Sequence, residues 1–396
     1  MGRTRPILPL ALLPSSAAAL ALLGPGCGGG SSRDGGSASS GGQISASDGG
    51  AGTTGMGATS ATAGAPSDTS GAAGASGAAA TGGCYRDPYL PDDFELPCDQ
   101  PDPIANCTDG WCTIEPGCFF MGSPWCEWSR ARDTANPIQV TLTHRYRIQQ
   151  FELTQAERTG LDVPNPSSEE DENSNCLAPD CPVGRVNWYE ALAFANLRSR
   201  AEGLPDCYDL DDCTGELGAG MECGSVSQTT ASMYDCTGYR LPTGPEWEYA
   251  ARAGTRTTVY SGDVWFPEPP GWRCESSPAL DPIAWYCVNS QSSSHPVALK
   301  DPNAWGLYDM IGNVFEWTST LATLQAGGPY DDYGADLLKP DGIGVLGWSP
   351  ELRGGYFSGP PDVHSAGKSL GGVPREKGTG NGARLVQTLS AAAENR

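Results

Sequence analysis

Fourteen of the chain's 15 cysteines fall between Cys84 and Cys287, and none follows Cys287. No two are spaced as C-x-x-C, and the chain has only three histidines, His144, His295 and His364. Zinc sites need clustered thiolate and imidazole donors, so a zinc framework is disfavoured. An even, dense set of cysteines reads instead as a disulfide framework in an exported chain. Spacing suggests local staples: Cys176 with Cys181, Cys274 with Cys287, and Cys207, Cys213, Cys223 and Cys236 among themselves. Spacing alone cannot choose within that last group. The 53 glycines and 33 prolines break every long periodic run. We therefore expect one irregular, loop-rich α+β domain held by cross-links, without internal repeats.

A few elements are still legible. "IQVTLTHRYRI" alternates from Ile138 to Ile148, which predicts a strand with Val140, Leu142, His144, Tyr146 and Ile148 on one face. His144 is then expected to be a packed histidine rather than a ligand. Thr154 and Glu157 form a capping box before a helix that stops at Gly160. Asn187 caps a second helix running to Gly203, with Leu192, Ala195 and Tyr189 inward. Thr243 and Glu246 start a third, with Pro245 in the first turn and Gly254 at the stop. "GIGVLG" at 342–347 has dinucleotide-site glycine spacing, but no βαβ context surrounds it and it carries no weight.

Forty-seven acidic and 24 basic side chains give a net charge of −23. Such a chain repels nucleic acid and anionic membranes. At the N-terminus, Arg3 and Arg5 precede the apolar run "ILPLALLPSSAAALALL" and then "GPGC". That pattern resembles a lipoprotein signal over 1–27, with Cys27 cleaved and lipidated and the outer membrane as destination; ordinary cleavage leaving a free Cys27 and an uncleaved anchor are the alternatives. No later run is long or apolar enough to span a bilayer. Residues 28–83 are nearly all Gly, Ser, Ala and Thr, a composition that cannot bury a core. As a flexible tether they would span roughly 40 Å. The folded domain is expected over 84–388, with a tail at 389–396.

Seven short motifs then occur in one order: "GCFFMGSP" (117–124), "FELTQAE" (151–157), "PVGRVNWYEALAFAN" (182–196), "GYRLPTGPEWEYAARAGT" (238–255), "HPVALKDPNAWGLYDMIGNVFEW" (295–317), "LRGGYF" (352–357) and "GARLV" (382–386). Together they resemble the formylglycine-generating enzyme, or sulfatase-modifying-factor, family. The resemblance implies a fold related to C-type lectins. It also implies a calcium ion held by side chains at Asp309 and Glu316 and carbonyls at Gly312 and Val314. Calcium takes six to eight oxygens at ~2.3–2.6 Å from such mixed donors, and two carboxylates would balance its charge. The competing expectation is that Asp309 and Glu316 cap turns or pair with arginines such as Arg240 or Arg252. The family's second calcium loop has no counterpart between Asn289 and His295.

The resemblance also implies a copper(I) site of two cysteines shortly after "RGG". Here the first position falls at Ser358 or Gly359 and the second between Pro360 and His364, where there is no cysteine. Copper(I) needs soft thiolates, so copper chemistry is not expected. The helical iron domain of the sulfoxide synthases in this wider family is not expected here either, although the resemblance extends to a pyoverdine-maturation branch that works without the copper cysteines. Thr320 replaces an acidic residue after "EWTS", and "GGYF" replaces "GGSW", so the pocket is expected to be remodelled. Two functions follow. One is a surface-anchored, calcium-stabilised module that binds or displays a peptide, protein or small-molecule ligand. The alternative is an oxidoreductase of this superfamily acting on a peptide or metabolite without the cysteine pair.

Overall fold

Three capping boxes start the helices. In the computed structural model the Thr154, Asn187 and Thr243 side chains each accept the backbone N–H of a glutamate three residues on, which reaches back to the cap. This satisfies donors that a helix start leaves bare. The helices are α1 (Gln155–Thr159), α2 (Trp188–Ala201) and α3 (Gly244–Arg252). Helix α2 ends two residues before the expected glycine, and Gly203 follows with φ +71°. Leu192 and Ala195 are buried on it, while Tyr189 is half-buried. At the end of α3, Ala253 already takes the left-handed conformation, one residue ahead of Gly254.

The structure describes residues 104–123, 127–130, 138–168, 176–267, 269–271, 273–322 and 349–389. The signal segment with Cys27, the tether, Cys84, Cys98, Cys126, Gly342–Gly347 and the last seven residues lie outside these.

The strands are short: β1 (Cys107–Thr108), β2 (Trp111–Ile114), β3 (Gly117–Met121), β4 (Ile138–Leu142), β5 (Tyr146–Gln149), β6 (Tyr208–Asp211), β7 (Ser225–Gln228), β8 (Tyr239–Arg240), β9 (Phe315–Ala322), β10 (Ser349–Arg353), β11 (Leu370–Gly371), β12 (Asn381–Gly382) and β13 (Val386–Thr388). One sheet runs β1-β2-β5-β13-β8 and is antiparallel throughout. A second runs β11-β10-β9-β12, with β12 parallel to β9. Two ribbons, β3-β4 and β6-β7, complete the set. The C-terminal strand β13 thus lies inside the first sheet, with Val386 opposite both Ile148 and Arg240.

The single strand expected over 138–148 is two strands. The chain leaves β-structure at Thr143–Arg145, so β4 pairs with β3 while β5 pairs with β2 and β13. Alternation survives the break because Val140, Leu142, Tyr146 and Ile148 still point into one core. Periodicity reports burial, and burial does not require one sheet. His144 sits in the break, not in the core. Its Nε2 lies 2.8 Å from Glu246 Oε1 and its ring stacks on Tyr234 at 3.7 Å.

Two apolar clusters form the interior. One gathers Ile114, Tyr146, Ile148, Trp247, Tyr286, Leu307 and Met310. The other surrounds α2 and includes Trp317 and Leu352. Disulfides join Cys107–Cys112, Cys176–Cys181, Cys207–Cys236, Cys213–Cys223 and Cys274–Cys287. The pairing that spacing left open is thereby nested, the 213–223 loop inside the 207–236 loop.

Candidate functional site

The stretch "GLYDMIGNVFEW" follows neither helical nor strand periodicity because it turns repeatedly through left-handed backbone. Gly306, Asp309, Gly312 and Asn313 have φ of +79°, +53°, +85° and +56°. At Gly312 a Cβ would come within 2.5 Å of the Trp285 carbonyl oxygen, so only glycine fits there. These turns carry Leu307, Met310 and Ile311 inward, and the carboxylates of Asp309 and Glu316 with them.

Glu316 is held by a guanidinium. Arg384 Nε donates to Oε2 and Nη2 to Oε1, both at 2.7 Å, and the Trp247 indole N–H donates to Oε2 at 2.6 Å. Both residues are buried, which makes this a charge-assisted fork of the strong kind. The arginine is neither Arg240 nor Arg252, the two considered from sequence. Arg240 forks onto Glu246, and Arg252 pairs with Glu248 on its own helix. Strand register decides the choice: Gly382 lies opposite Glu316 in the parallel β9–β12 pair, and Arg384 follows two residues later.

Two more carboxylates crowd this pair. Asp309 Oδ2 accepts the Ala298 N–H at 2.7 Å. Burial pushes its pKa up to about 6, with Glu316 adding a smaller push against the pull of the Ala298 N–H and Arg384. Glu152, which sequence inspection did not single out, is fully buried. It accepts Val314 N–H at 2.9 Å and Asn313 Nδ2–H at 2.7 Å. Burial raises its pKa well above the carboxylate range, and Asp309 and Glu316 add to that. Arg384 also donates to the carbonyls of Gln149 and Tyr308. Three buried carboxylates therefore face one guanidinium. The available signal for Glu152 was an acidic residue within the apolar run "QFEL"; for Arg384 it was an arginine inside the buried C-terminal strand pattern.

This arrangement fits calcium only in part. Asp309 and the backbone at Gly312 and Val314 are the donor types an ion needs, and the excess of buried carboxylates favours a cation. Glu316 does not fit, since Arg384 and Trp247 use its oxygens. Among the described residues no group of three His, Cys, Asp or Glu side chains is disposed to hold a metal ion.

The 353–364 loop packs directly beside this segment. Arg353 is buried between Glu248 and Glu351 at 2.9 and 2.8 Å. After it, Gly354 and Gly355 both take positive φ. The loop then wraps the imidazole of His364. Nδ1 lies 2.9 Å from the Pro360 carbonyl oxygen and Nε2 lies 3.2 Å from that of Tyr356. Burial pulls the pKa of His364 down to about 4. A Cβ on Gly355 would meet its Cδ2 at 2.5 Å, and one on Gly359 would meet Val363 Cγ2 at 2.6 Å and His364 Cε1 at 2.9 Å. The ring thus fills the space where a second side chain at 359 would have to stand. A copper(I) site does not fit these residues: Gly359 has no room for a thiol, and both nitrogens of His364 face backbone carbonyls.

The other departures are absorbed by packing. Thr320 Oγ1 accepts the Gly244 N–H at 2.8 Å, at the start of α3. Tyr356 stacks on Phe315 at 4.9 Å and lies over Gly380, where a Cβ would touch its ring at 2.6 Å. Phe315 and Tyr356 are both half-buried, so this pair forms an aromatic shelf reaching the surface.

Several known proteins are similar to this chain. Residues 99–389 match the model of the sulfatase-modifying factor enzyme 1-like domain. The chain is 30% identical over 278 residues to a formylglycine-generating enzyme of Streptomyces coelicolor, covering 65% of this chain and 82% of the relative. It is 34% identical over 184 residues to the chaperone protein LppX of Paenibacillus barcinonensis, covering 45% of this chain but only 62% of that protein. The structure described as Treponema denticola variable protein 1 superposes with a TM-score of 0.52 at 26% identity, covering 70% of this chain and 94% of that one. The family model spans well over half of the chain, including the buried acid cluster and the wrapped loop: the chain belongs to the sulfatase-modifying factor enzyme 1-like domain family.

Proposed function

We propose that this chain is an exported, lipid-anchored binding module of its family that works without the copper–cysteine site. The observation that carries the reading is the His364 imidazole between Gly355 and Gly359. A packed ring facing backbone carbonyls fills this loop, and serine, glycine and one such histidine cannot supply copper(I) ligands. Polypeptide is the ligand class we favour, consistent with the relative named as a chaperone, and the Phe315–Tyr356 shelf is the contact surface. The N-terminal signal pattern at Cys27 and the disulfides support export. Calcium, when bound, would be held by Asp309 and the carbonyls of Gly312 and Val314, with Glu316 contested between the ion and Arg384.

The test has two arms. Purified protein, supplied with copper(I), oxygen and a cysteine-containing sulfatase-type peptide, is expected to yield no aldehyde by mass spectrometry. Aldehyde formation would overturn the reading in favour of the alternative, an oxidoreductase of this superfamily. The second arm follows aggregation of a reduced, unfolded secretory protein by light scattering. Suppression that weakens in Tyr356→Ala supports polypeptide binding; no suppression by the native chain removes it.

A further inference from the structure

The Cys274–Cys287 bridge stands apart from the other described disulfides. In each of the other four at least one partner is buried: Cys112, Cys181, Cys223, and both Cys207 and Cys236. Here Cys274 is exposed and Cys287 is only half-buried. Accessible bridges are the labile ones, because exchange needs an attacking thiolate to reach a sulfur.

The loop that this bridge closes is also anchored without it. Leu280, Ile283, Ala284 and Tyr286 are buried in the first apolar cluster. The Tyr286 hydroxyl donates to Asp281 and accepts the Ser277 N–H at 3.0 Å, and Ser276 Oγ donates to Asp281 Oδ2 at 2.6 Å. Opening the bridge therefore leaves the loop in place. Its inner end is wired to the remodelled loop: Cys287 N donates to the Gly359 carbonyl at 3.2 Å, and the neighbouring Tyr286 ring meets the His364 ring edge-on at 5.7 Å.

From this placement we propose that Cys274–Cys287 is a thiol–disulfide exchange site for a low-molecular-weight thiol of the glutathione type. The incoming thiolate attacks Cys274 Sγ, forming a mixed disulfide. The electron pair of the broken S–S bond leaves on Cys287, which becomes a thiolate beside Gly359. Attack of that thiolate on Cys274 expels the small thiol and restores the bridge. A second small thiol instead takes the mixed disulfide apart, leaving both cysteines reduced and the two small thiols joined as their disulfide.

The native protein is incubated with reduced glutathione, quenched with an alkylating agent and mapped without further reduction. The expected result is glutathione on Cys274 and alkyl label on Cys287 while the four other described bridges stay closed. Prior or simultaneous opening of Cys213–Cys223 or any other of the four overturns the proposal. Trp285 gives a second readout, since it stacks on His295 at 3.8 Å, lies 4.2 Å from Lys300 Nζ and is two residues from Cys287. Its fluorescence is expected to change on thiol addition in the native protein and not in the Cys274→Ser/Cys287→Ser double variant. A change that persists in the double variant counts against the site.

Discussion

The 306–317 segment and the 353–364 loop touch, yet their buried polar groups are held by opposite logic. Gly312 N donates to the Gly354 carbonyl and Phe357 N to that of Asn313, both at 2.9 Å. On the first side, acidic groups are concentrated: Glu152, Asp309 and Glu316 gather around Arg384, and Glu316 is the one that forks onto it. On the second, past the paired Arg353, the buried polar group is an uncharged ring: His364 is an imidazole between two backbone carbonyls and two glycines. A buried charge persists only with a partner, whereas a neutral ring needs only space and an acceptor. The two sides of one contact therefore bury polarity in different ways, by pairing ions on one side and by enclosing a neutral ring on the other.

The comparison breaks most severely at Arg384. Removing it, as in Arg384→Met, strands Glu316 beside two further carboxylates, and losing one partner of a buried pair costs about 3–5 kcal/mol. We expect this variant to show the largest fall in denaturation midpoint of all those considered. A near-native midpoint would mean that the cluster does not depend on the fork.

Next in size, the two sides respond to acid with opposite signs. Asp309 has its folded pKa raised from an ordinary 3.8 to about 6, so its contribution is fully present below about 4 and is lost as pH rises through about 6. His364 has its folded pKa lowered from 6.5 to about 4, so its contribution is present above about 6.5 and is lost as pH falls through about 4. Each is worth on the order of 3 kcal/mol across its window. Unfolding free energy measured from pH 4 to 7 should show Asp309→Asn removing a falling slope and His364→Gln removing a rising one. Slopes of the same sign for both variants would refute the opposition.

Introducing a thiol sharpens the contrast further. Gly359→Cys places a Cβ against Val363 and the His364 ring, and overpacking costs about 1–3 kcal/mol. Combining it with His364→Ala should recover part of that loss in a double-mutant cycle. Strict additivity would show that the ring is not what fills the space.

The smallest effect concerns calcium. An ion bound only to the folded chain stabilises it by about 1.4 kcal/mol at tenfold excess over its dissociation constant. Chelation should lower the melting temperature and calcium should restore it; magnesium should not, since it demands a small octahedral cage. Glu316→Gln loosens the Arg384 fork, so it tests whether ion and guanidinium compete: a larger calcium response means they do, a smaller one makes Glu316 a ligand. A native melting curve indifferent to chelator removes calcium from the site.

Much of the fold was legible because its signals are local. Capping boxes at Thr154, Asn187 and Thr243 need only three residues of context, and the ordered motifs identify the family. Asp309 and Glu316 announced a buried polar site through their apolar neighbours, but their partners did not announce themselves. Glu152 and Arg384 lie 164 and 68 residues from Glu316, and no periodicity links such positions. The β4–β5 break was hidden for a related reason: the buried face of "IQVTLTHRYRI" continues across two sheets.

The sequence by itself determined the helix starts, the glycines that turn 306–317, the cysteine framework and the absence of any thiol after Cys287, since each depends on a residue's own conformational or chemical capacity. Only the tertiary structure decided that Glu316 goes to Arg384 and that His364 fills the space beside Gly359. Both outcomes are set by β9–β12 register and by loop closure, where the energy of a buried charge or ring depends on whatever distant backbone comes to lie against it.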